Sequence, residues 1–335
     1  MNGTDDLGVL AGDAALSVGT GRELIVATGA DRGRFLHGIV TGNVAGTPVG
    51  GGCLSALLTT KGHVVSDMRL FVRDDDIWIV VDAGQAEGVA GTLSRYAIMD
   101  DFAAAARPDF GFSSLLGPAA AARLAAIGGD GERLRALAEG PLLGHATVAI
   151  GDGAEIWIAR VRELGTDGFW LGAPPSLLAS VHARLAAAGV PELDPAAAEA
   201  ARIIAIEPRF GAEITADYFP MEVGLNAAID YGKGCYLGQE PIVRIRDRGH
   251  INWRLVGLDV VGPGDPAARD ALESDAKPKA GRITSVGRTP GGAGVALAML
   301  HTSVAVGATV RIHHGEERIE ARVRGEAAGS GAPPG

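Results

Sequence analysis

The chain has 335 residues, of which 47% are hydrophobic and 5% aromatic, and its formal net charge is −10. This length predicts two or three domains with mainly aliphatic cores. The negative charge argues against general binding to nucleic acids or membrane surfaces, because both are anionic. Cys53 and Cys235 stand far apart, outside any CxxC or Cys/His cluster, which excludes a self-contained four-ligand zinc or iron–sulfur site.

The first segment, residues 1–18, is small and acidic, and we expect a flexible N-terminus. It has no signal-peptide pattern, and the chain has no run of 18 apolar residues, so we expect a soluble cytoplasmic protein. A strand at 24–26 then leads to a turn, after which Asp31 is predicted to cap a helix that carries Phe35, Leu36 and Ile39 at helical spacing.

Residues 53–83 predict an antiparallel meander of three strands, at 54–58, 64–72 and 77–81, joined by tight turns. Helical segments at 84–99, 117–138 and 176–189 follow, interleaved with strands at 146–150 and 155–161. This alternation favours α+β subdomains of ferredoxin-like type over a doubly wound sheet. We therefore predict one domain of two interleaved subdomains over residues 19–248.

The sequence pattern changes after residue 249, where short apolar segments are separated by glycine and proline. This pattern predicts an all-β barrel domain over residues 249–324. The last residues, 325–335, are rich in Gly, Ala and Pro and predict a disordered tail.

The octapeptide KGCYLGQE, residues 233–240, holds the second cysteine. Gly234 and Gly238 permit close backbone approach or a positive φ, and Lys233 places a cation near the thiol of Cys235, which favours the thiolate. The residues themselves leave a reactive thiol and a half-buried structural cysteine equally open, since cysteine is often buried. Side chains that could add to this environment are Arg244, Arg246, Arg248, His37, His63 and His250.

Carboxylates in apolar surroundings form a second group of candidates. Asp67 interrupts an apolar strand, Glu207 and Arg209 follow an apolar run, and Glu222 lies between Met221 and Val223. Each acid either faces a pocket or lies on a solvated strand, turn or helix cap, and the solvated interpretation is the commoner one because carboxylates are rarely buried unpaired.

Together these segments resemble the YgfZ-type folate-binding proteins, relatives of the glycine cleavage T protein (aminomethyltransferase). The octapeptide matches the family signature K-G-C-Y-x-G-Q-E, and LLTTKGHVVSDMRLF resembles its L-x-x-x-K-G-x-x-x-x-D hairpin, with Asp67 at the carboxylate. MEVGLNAAIDYGKGCY resembles the segment before the signature, and GRITSVGRTP resembles the entry to the C-terminal barrel of T proteins. The resemblance extends over residues 20–320.

The resemblance implies a T-protein-like ring of three subdomains, two α/β and one barrel, around a funnel that holds tetrahydrofolate. It implies that Asp67 faces the pterin and that Cys235 lies near the mouth, on the loop that enters a helix starting about Gly238. The other residues of the implied cofactor site are Glu207, Arg209, Glu222, Tyr236, Gln239 and Glu240.

One segment departs from the family. Its members commonly read R-I-E-A-G-I-P-R-F-G, with the glutamate contacting the pterin, whereas residues 202–211 read RIIAIEPRFG. Ile204 occupies the position of that glutamate, and Glu207 follows three residues later. Tetrahydrofolate is therefore the expected cofactor, with an altered or absent pterin contact at Ile204.

T proteins that transfer one-carbon units resemble K-x-x-F-I-G-R-E at the octapeptide, so Cys235 and Gln239 indicate the iron–sulfur branch. The resemblance implies an accessory protein for assembly or repair of iron–sulfur enzymes, and indirectly for transfer-RNA thiomethylation, with Cys235, Lys233 and Asp67 as its reactive residues. The expected partners are folate and iron–sulfur client or assembly proteins, and the expected state is a monomer.

Two alternatives stay open. The first is a tetrahydrofolate-dependent aminomethyltransferase or demethylase in which Asp67 orients the attacking amine. The second is a binding protein whose folate pocket has decayed through Ile204.

Overall fold

The computed structural model describes residues 6–19, 21–151 and 153–330. They form two five-stranded antiparallel sheets with helices, followed by a closed six-stranded barrel. The helices are α1 (Asp6–Gly12), α2 (Arg32–Ile39), α3 (Ala86–Tyr96), α4 (Ala120–Ala126), α5 (Gly131–Glu139), α6 (Pro175–Ala187), α7 (Pro195–Ala205) and α8 (Gln239–Arg248). The strands of the two sheets are β1 (Ala15–Ser17), β2 (Arg22–Thr28), β3 (Gly52–Leu58), β4 (Val64–Val72), β5 (Ile77–Asp82), β6 (Ala103–Ala106), β7 (Gly111–Leu116), β8 (His145–Ile150), β9 (Ala154–Glu163) and β10 (Thr166–Ala173).

The first sheet has the order β3-β4-β5-β2-β6, and the predicted meander forms its first three strands. One face packs against α2 and α3 through aliphatic side chains such as Leu36, Met68 and Leu93. The predicted cap is wrong in its contact: Asp31 stands at the N-cap of α2, but its carboxylate accepts no hydrogen bond from the backbone N–H groups of the helix. From α2 it accepts a side-chain hydrogen bond from Arg34 Nε at 3.3 Å. It also accepts from the backbone N–H of Asp101, 2.9 Å away, because the turn before β6 lies alongside.

The second sheet has the order β1-β7-β10-β9-β8 and packs against α4, α5 and α6. Its edge strand β1 comes from the N-terminal segment, so the chain contributes to the second sheet before it builds the first. The prediction of a flexible segment over residues 1–18 is therefore wrong for residues 6–17. Strand β1 is too short to show an alternating pattern in the sequence, yet Ala14, Ala15 and Leu16 are buried. Residues 1–5 lie outside the described part.

The two sheets face each other across an aromatic core. Phe71 and Trp78 of the first sheet contact Trp157 of the second, with ring centroids 4.8 and 5.4 Å apart. Farther along this interface, charged side chains replace the apolar ones around Trp170. They are Arg22 of β2, Arg69 of β4 and Glu163 at the end of β9. The packing of the two sheets therefore positions a buried polar cluster between them.

The barrel confirms the predicted C-terminal fold. Its strands are β11 (Trp253–Val260), β12 (Ala271–Ser274), β13 (Lys277–Arg288), β14 (Gly294–His301), β15 (Thr309–His314) and β16 (Glu317–Glu326), closed in the order β11-β14-β13-β12-β15-β16. Aliphatic side chains such as Val256, Leu272 and Ile312 fill its interior. The predicted α+β fold with a C-terminal all-β barrel is thus the observed one.

The C-terminal segment is ordered farther than predicted. Glu326 belongs to β16, and Ala327 is buried with its N–H donating to Leu255 O at 3.0 Å. The predicted disordered tail over 325–335 is therefore wrong for its first residues, and residues 331–335 lie outside the described part. Among the described helices, none is long and apolar enough to cross a membrane.

Candidate functional site

Lys233 joins the octapeptide to the end of helix α2. Its Nζ donates to the carbonyl oxygens of His37, Val40 and Gly42 at 2.5, 2.7 and 2.8 Å. These carbonyls lie at and beyond the C-terminus of α2, where helix geometry leaves acceptors without partners and a cation is favourable. Burial lowers the pKa of Lys233 to about 8. All three ammonium donors serve this junction, so the side chain fixes the loop.

Gly238 fits the octapeptide against the turn between β3 and β4. Its φ is +79°, and a Cβ there would collide with the carbonyl oxygen of Thr59. Gly62, at the tip of that turn, faces Gly238 O and Pro241 in return. Helix α8 begins at the next residue, Gln239, as the resemblance implied. The glycine is therefore required by backbone conformation and by contact.

Cys235 is exposed and carries a free thiol. Its two neighbours differ in exposure: Gly234 is also exposed, whereas Tyr236 is buried in the core shared by β3, β4 and the barrel. Burial raises the pKa of the Tyr236 hydroxyl to about 12. The loop thus presents its thiol outward between two anchored positions, Lys233 and Tyr236.

The rest of the octapeptide and the arginines after it lie on the surface of α8. Glu240 is 85% exposed and pairs with Arg244 at 3.0 Å, one helical turn away. Arg246 pairs with Asp247 at 2.6 Å, and its Nη1 donates to Tyr231 O at 3.2 Å. These guanidinium groups are engaged locally. Gln239 is half-buried in the first turn.

Asp67 lies in the polar part of the interface between the two sheets. Its side chain is 8% exposed; Oδ2 accepts from Arg69 at 3.1 Å, and Oδ1 is buried without a hydrogen-bond partner in the described structure. Burial raises the pKa of this carboxyl; the charge of Arg69 opposes the rise, and that of Asp82 adds to it. A buried acceptor without a partner is costly, and such groups concentrate at functional sites.

Arg22, Glu163 and Trp170 complete the cluster, although no pattern in the sequence signals them. Glu163 forms an ion pair with Arg22 and accepts from Ser114 Oγ at 2.6 Å and from Trp170 Nε1 at 3.1 Å. Arg22 stacks over the Trp170 ring at 4.1 Å, while its Nε and Nη1 stay buried without partners in the described structure. Burial alone would raise the pKa of Glu163, but Arg22 and the two hydrogen bonds hold it below its usual value.

Glu207 closes the hairpin between β9 and β10. Its carboxylate oxygens accept from the backbone N–H groups of Leu164 and Gly165 at 2.8 and 2.9 Å. Burial raises its pKa against these two hydrogen bonds. Arg209 is half exposed and pairs with Glu199 at 3.0 Å. Both predicted cofactor residues therefore hold structural contacts in this conformation.

Glu222 joins the segment before the octapeptide to the barrel. Its two oxygens accept from the N–H groups of Phe219 at 3.0 Å and Trp253 at 3.3 Å. Burial raises its pKa against these donors. Nearby, His63 stacks on Phe219 with ring centroids 4.7 Å apart, so this histidine supports the same junction.

The segment that departs from the family has a clear structural role. Arg202 at its start donates to buried Glu213 at 3.1 Å and to Ser285 Oγ of β13 at 2.7 Å, which ties α7 to the barrel. Ile204 is 38% exposed on α7 and offers no polar group at this position. Ile206 ends the helix with φ of +56°, at the position where the family has glycine.

The predicted residues thus fall into three places. Lys233, Cys235 and Tyr236 form the octapeptide loop at the end of α2. Asp67 lies in the buried charge cluster between the sheets. Glu207 lies close enough to this cluster for the charges of Glu163 and Arg69 to act on its pKa. Glu222 lies at the contact with the barrel.

Comparisons with known proteins agree with this architecture. An aminomethyltransferase from Thermosynechococcus vestitus is 27% identical over 234 residues, 68% of this chain and 61% of its own length. The tRNA-modifying protein YgfZ of Yersinia enterocolitica is 27% identical over 258 residues, 75% of this chain and 72% of its own. The chain thus spans about three fifths of the first of these relatives and nearly three quarters of the second.

The fold also matches a solved structure. The glycine cleavage system aminomethyltransferase T from Bartonella henselae superposes with a TM-score of 0.82 at 22% identity, over 96% of this chain and 87% of that one. The family model described as the GCVT N-terminal domain matches residues 20–233, well over half of the chain. The chain belongs to the GCVT N-terminal domain family.

Proposed function

We propose that this protein is a folate-binding accessory factor that supports assembly or repair of iron–sulfur enzymes, with Cys235 as its functional thiol. The observation that carries the proposal is the exposure of that thiol on a loop whose neighbours are anchored. A cysteine kept for packing is expected to be buried. Here Lys233, Tyr236 and Gly238 carry the packing, which leaves the thiol free to meet another molecule.

The proposed partners are iron–sulfur client or assembly proteins in the cytoplasm. A single exposed cysteine can contribute one ligand or one sulfur contact to a transient, shared site. The Yersinia relative is named a tRNA-modifying protein, and this name supports the iron–sulfur branch only through the indirect link to transfer-RNA thiomethylation.

The proposed cofactor is tetrahydrofolate, and the buried cluster offers groups that fit part of it. A pterin presents hydrogen-bond donors and acceptors on one flat edge. Asp67 Oδ1 is a free buried acceptor, and Arg22 Nε and Nη1 are free buried donors in the same described interface. These two side chains would hold the heterocycle, whereas Ile204 contributes no hydrogen bond. When bound, the folate would carry a one-carbon unit; the residues of this chain would orient and desolvate it.

Complementation tests the thiol. In a strain that lacks the gene, Cys235→Ser is expected to abolish support of iron–sulfur enzymes, while Cys53→Ser, the matched control, retains it. Full support by Cys235→Ser would sink the proposal.

Calorimetry with tetrahydrofolate tests the cofactor. We expect micromolar binding by the unsubstituted protein and weakening of at least about tenfold in Asp67→Asn, since a charged hydrogen bond is lost. Glu87→Gln, at an exposed carboxylate of α3 outside the predicted cofactor site, serves as the control. Absence of any binding heat would leave the thiol as the only functional element.

A second candidate is a tetrahydrofolate-dependent aminomethyltransferase or demethylase. The observation that favours it is Asp67, a buried carboxyl with a raised pKa and one oxygen without a hydrogen-bond partner in the described structure, which suits proton exchange with an amine. The aminomethyltransferases of similar fold support the same activity. Conversion of a carrier-bound aminomethyl thioether and tetrahydrofolate to methylenetetrahydrofolate, with release of ammonia and the free carrier thiol, would identify this function if it is lost in Asp67→Asn and retained in Cys235→Ser.

A further inference from the structure

A separate cavity of about 480 Å³ lies on the barrel, between the segment around residue 218 and strands β11, β13 and β14. Its walls include Tyr218, Trp253 and Met299, and two cations, Lys279 and Arg282, stand at its edge. Ligand sites commonly have this size and combine apolar or aromatic walls with a few convergent polar groups. No residue of the octapeptide or of the central charge cluster lines this cavity in the described structure.

The charges of the cavity are only partly balanced. Arg282 pairs with Asp217 at 3.1 Å and lies 5.5 Å from the centre of the Tyr218 ring. The Asp217 side chain is 69% exposed, so this pair contributes little and can open at small cost. The Lys279 side chain makes no ion pair or hydrogen bond within the described residues. Among the residues that line the cavity, two cations stand beside one acid, a balance that favours an anion although the chain as a whole carries a net charge of −10.

The aromatic wall adds a second requirement. Trp253 is half-buried, and its ring meets His301 edge-on with centroids 5.5 Å apart, which holds the indole in place. A fixed indole near a guanidinium group suits a ligand with a flat apolar part next to its negative charge.

We propose that this cavity binds a small ligand in which a carboxylate or phosphate group lies beside a flat apolar part. Lys279 and Arg282 receive the anion, and Trp253 packs against the apolar part. Asp217 competes with the anion for Arg282. The site is independent of the central cluster at Asp67.

Tryptophan fluorescence of the full chain tests this site with two probes, N-benzoylglycine for the carboxylate and phenyl phosphate for the phosphate. Of the four tryptophans, the other three are buried in the sheet interface, so a change in emission reports on Trp253. We expect a saturable change with a dissociation constant of about 1 mM or lower for at least one probe, absent in Trp253→Phe. The tighter probe identifies the anion.

Matched variants sharpen the test. Lys279→Ala and Arg282→Ala are expected to weaken binding roughly tenfold, because each removes a charge-assisted contact. Arg288→Ala, an exposed arginine on the same strand β13 outside this cavity, is expected to leave it unchanged. Asp217→Asn is expected to strengthen binding about threefold by releasing Arg282.

Two results would overturn the proposal. One is the absence of saturable binding by either probe in both the unsubstituted protein and Asp217→Asn. The other is loss of binding in Asp67→Asn with retention in Lys279→Ala, which would move the probe to the central cluster. Asp67→Asn also tests tetrahydrofolate binding. Comparing it with Lys279→Ala therefore distinguishes failure of this site from failure of the proposed cofactor.

Discussion

The octapeptide loop and the buried charge cluster handle their polar groups in opposite ways. In the loop, every donor of the Lys233 ammonium group reaches a carbonyl oxygen, and the Cys235 thiol faces outward. In the cluster, Asp67 and Arg22 are buried yet keep polar atoms without partners among the described residues. The loop is a rigid support for one exposed group, whereas the cluster is an unsatisfied interior that a bound molecule could complete.

This difference explains why one motif residue can be structural and its neighbour functional. Lys233, Tyr236 and Gly238 could be replaced only with changes in packing or backbone conformation, whatever the thiol does. By contrast, the buried carboxylates differ in how many of their oxygens accept a hydrogen bond. Both oxygens of Glu207 are engaged by backbone N–H groups, whereas Asp67 keeps one oxygen without a partner in the described structure. The following variants test this division.

The largest effect is expected at Gly238. Gly238→Val places a branched side chain at φ of +79° and against Thr59 O. The left-handed conformation costs about 1–2 kcal/mol and the collision adds at least as much, so we expect a loss of about 3 kcal/mol or more in unfolding free energy. Urea unfolding measures it.

Gly234→Ala in the same loop is the matched control for that variant. Its added Cβ would meet open space, and its φ lies outside the left-handed region. A change of less than about 0.5 kcal/mol is expected. Equal losses in the two glycine variants would contradict a specific fit of the octapeptide against the β3–β4 turn.

The next effect concerns Lys233. Lys233→Met keeps much of the apolar stem but leaves three carbonyl oxygens at the end of α2 without their donor, at a cost of about 2–3 kcal/mol in unfolding free energy. Lys61→Met, at an exposed lysine in the β3–β4 turn, provides the control. If Lys233→Met unfolds at the same urea concentration as the unsubstituted protein, the lysine is available for chemistry and the anchoring role is wrong.

Much of the fold follows from the sequence because its strongest signals are local. The meander and the all-β pattern of the barrel follow from alternation and turn residues, and the start of α8 follows from the resemblance. Strand β1 and helix α1 were missed, since three strand residues gain their stability only from long-range pairing with β7. For the candidate site, Asp67 and Cys235 stay predictions from the resemblance, whereas Arg22 and Glu163 lie at the ends of their strands, where charged residues are ordinarily solvated. Only the packing of two sheets shows that they meet.

A smaller effect concerns the pH dependence of stability through Asp67. Because its folded pKa lies above its ordinary value, the folded state keeps a proton that the unfolded state has lost at intermediate pH. The unfolding free energy contributed by this group therefore falls as pH rises from the ordinary carboxyl pKa through the folded one. The decline amounts to about 1.4 kcal/mol for each pH unit that separates the folded pKa from the unfolded one.

Asp67→Asn removes that proton and is expected to flatten the decline. Urea unfolding at several pH values between acid and neutral conditions measures both slopes, with Glu240→Gln as the exposed control. The comparison uses slopes, because the substitution also releases Arg69 and changes the absolute stability. An unchanged slope in Asp67→Asn would show that the carboxyl is solvated and that the interior cluster is not the unsatisfied site described above.

The last prediction distinguishes the two cysteines. It expects the smallest effect on stability and a large difference in thiol reactivity. Cys53 is half-buried on β3, and burial raises its pKa against the hydrogen bond from Thr47 and the charge of Lys233. Iodoacetamide should therefore alkylate exposed Cys235 at least about tenfold faster than Cys53 at neutral pH, as peptide-resolved mass spectrometry can measure. Cys235→Ser should change the unfolding free energy by less than about 0.5 kcal/mol. Comparable alkylation of both thiols would mean that exposure on the octapeptide loop does not single out Cys235, and the proposed role would then have to be tested at Cys53 as well.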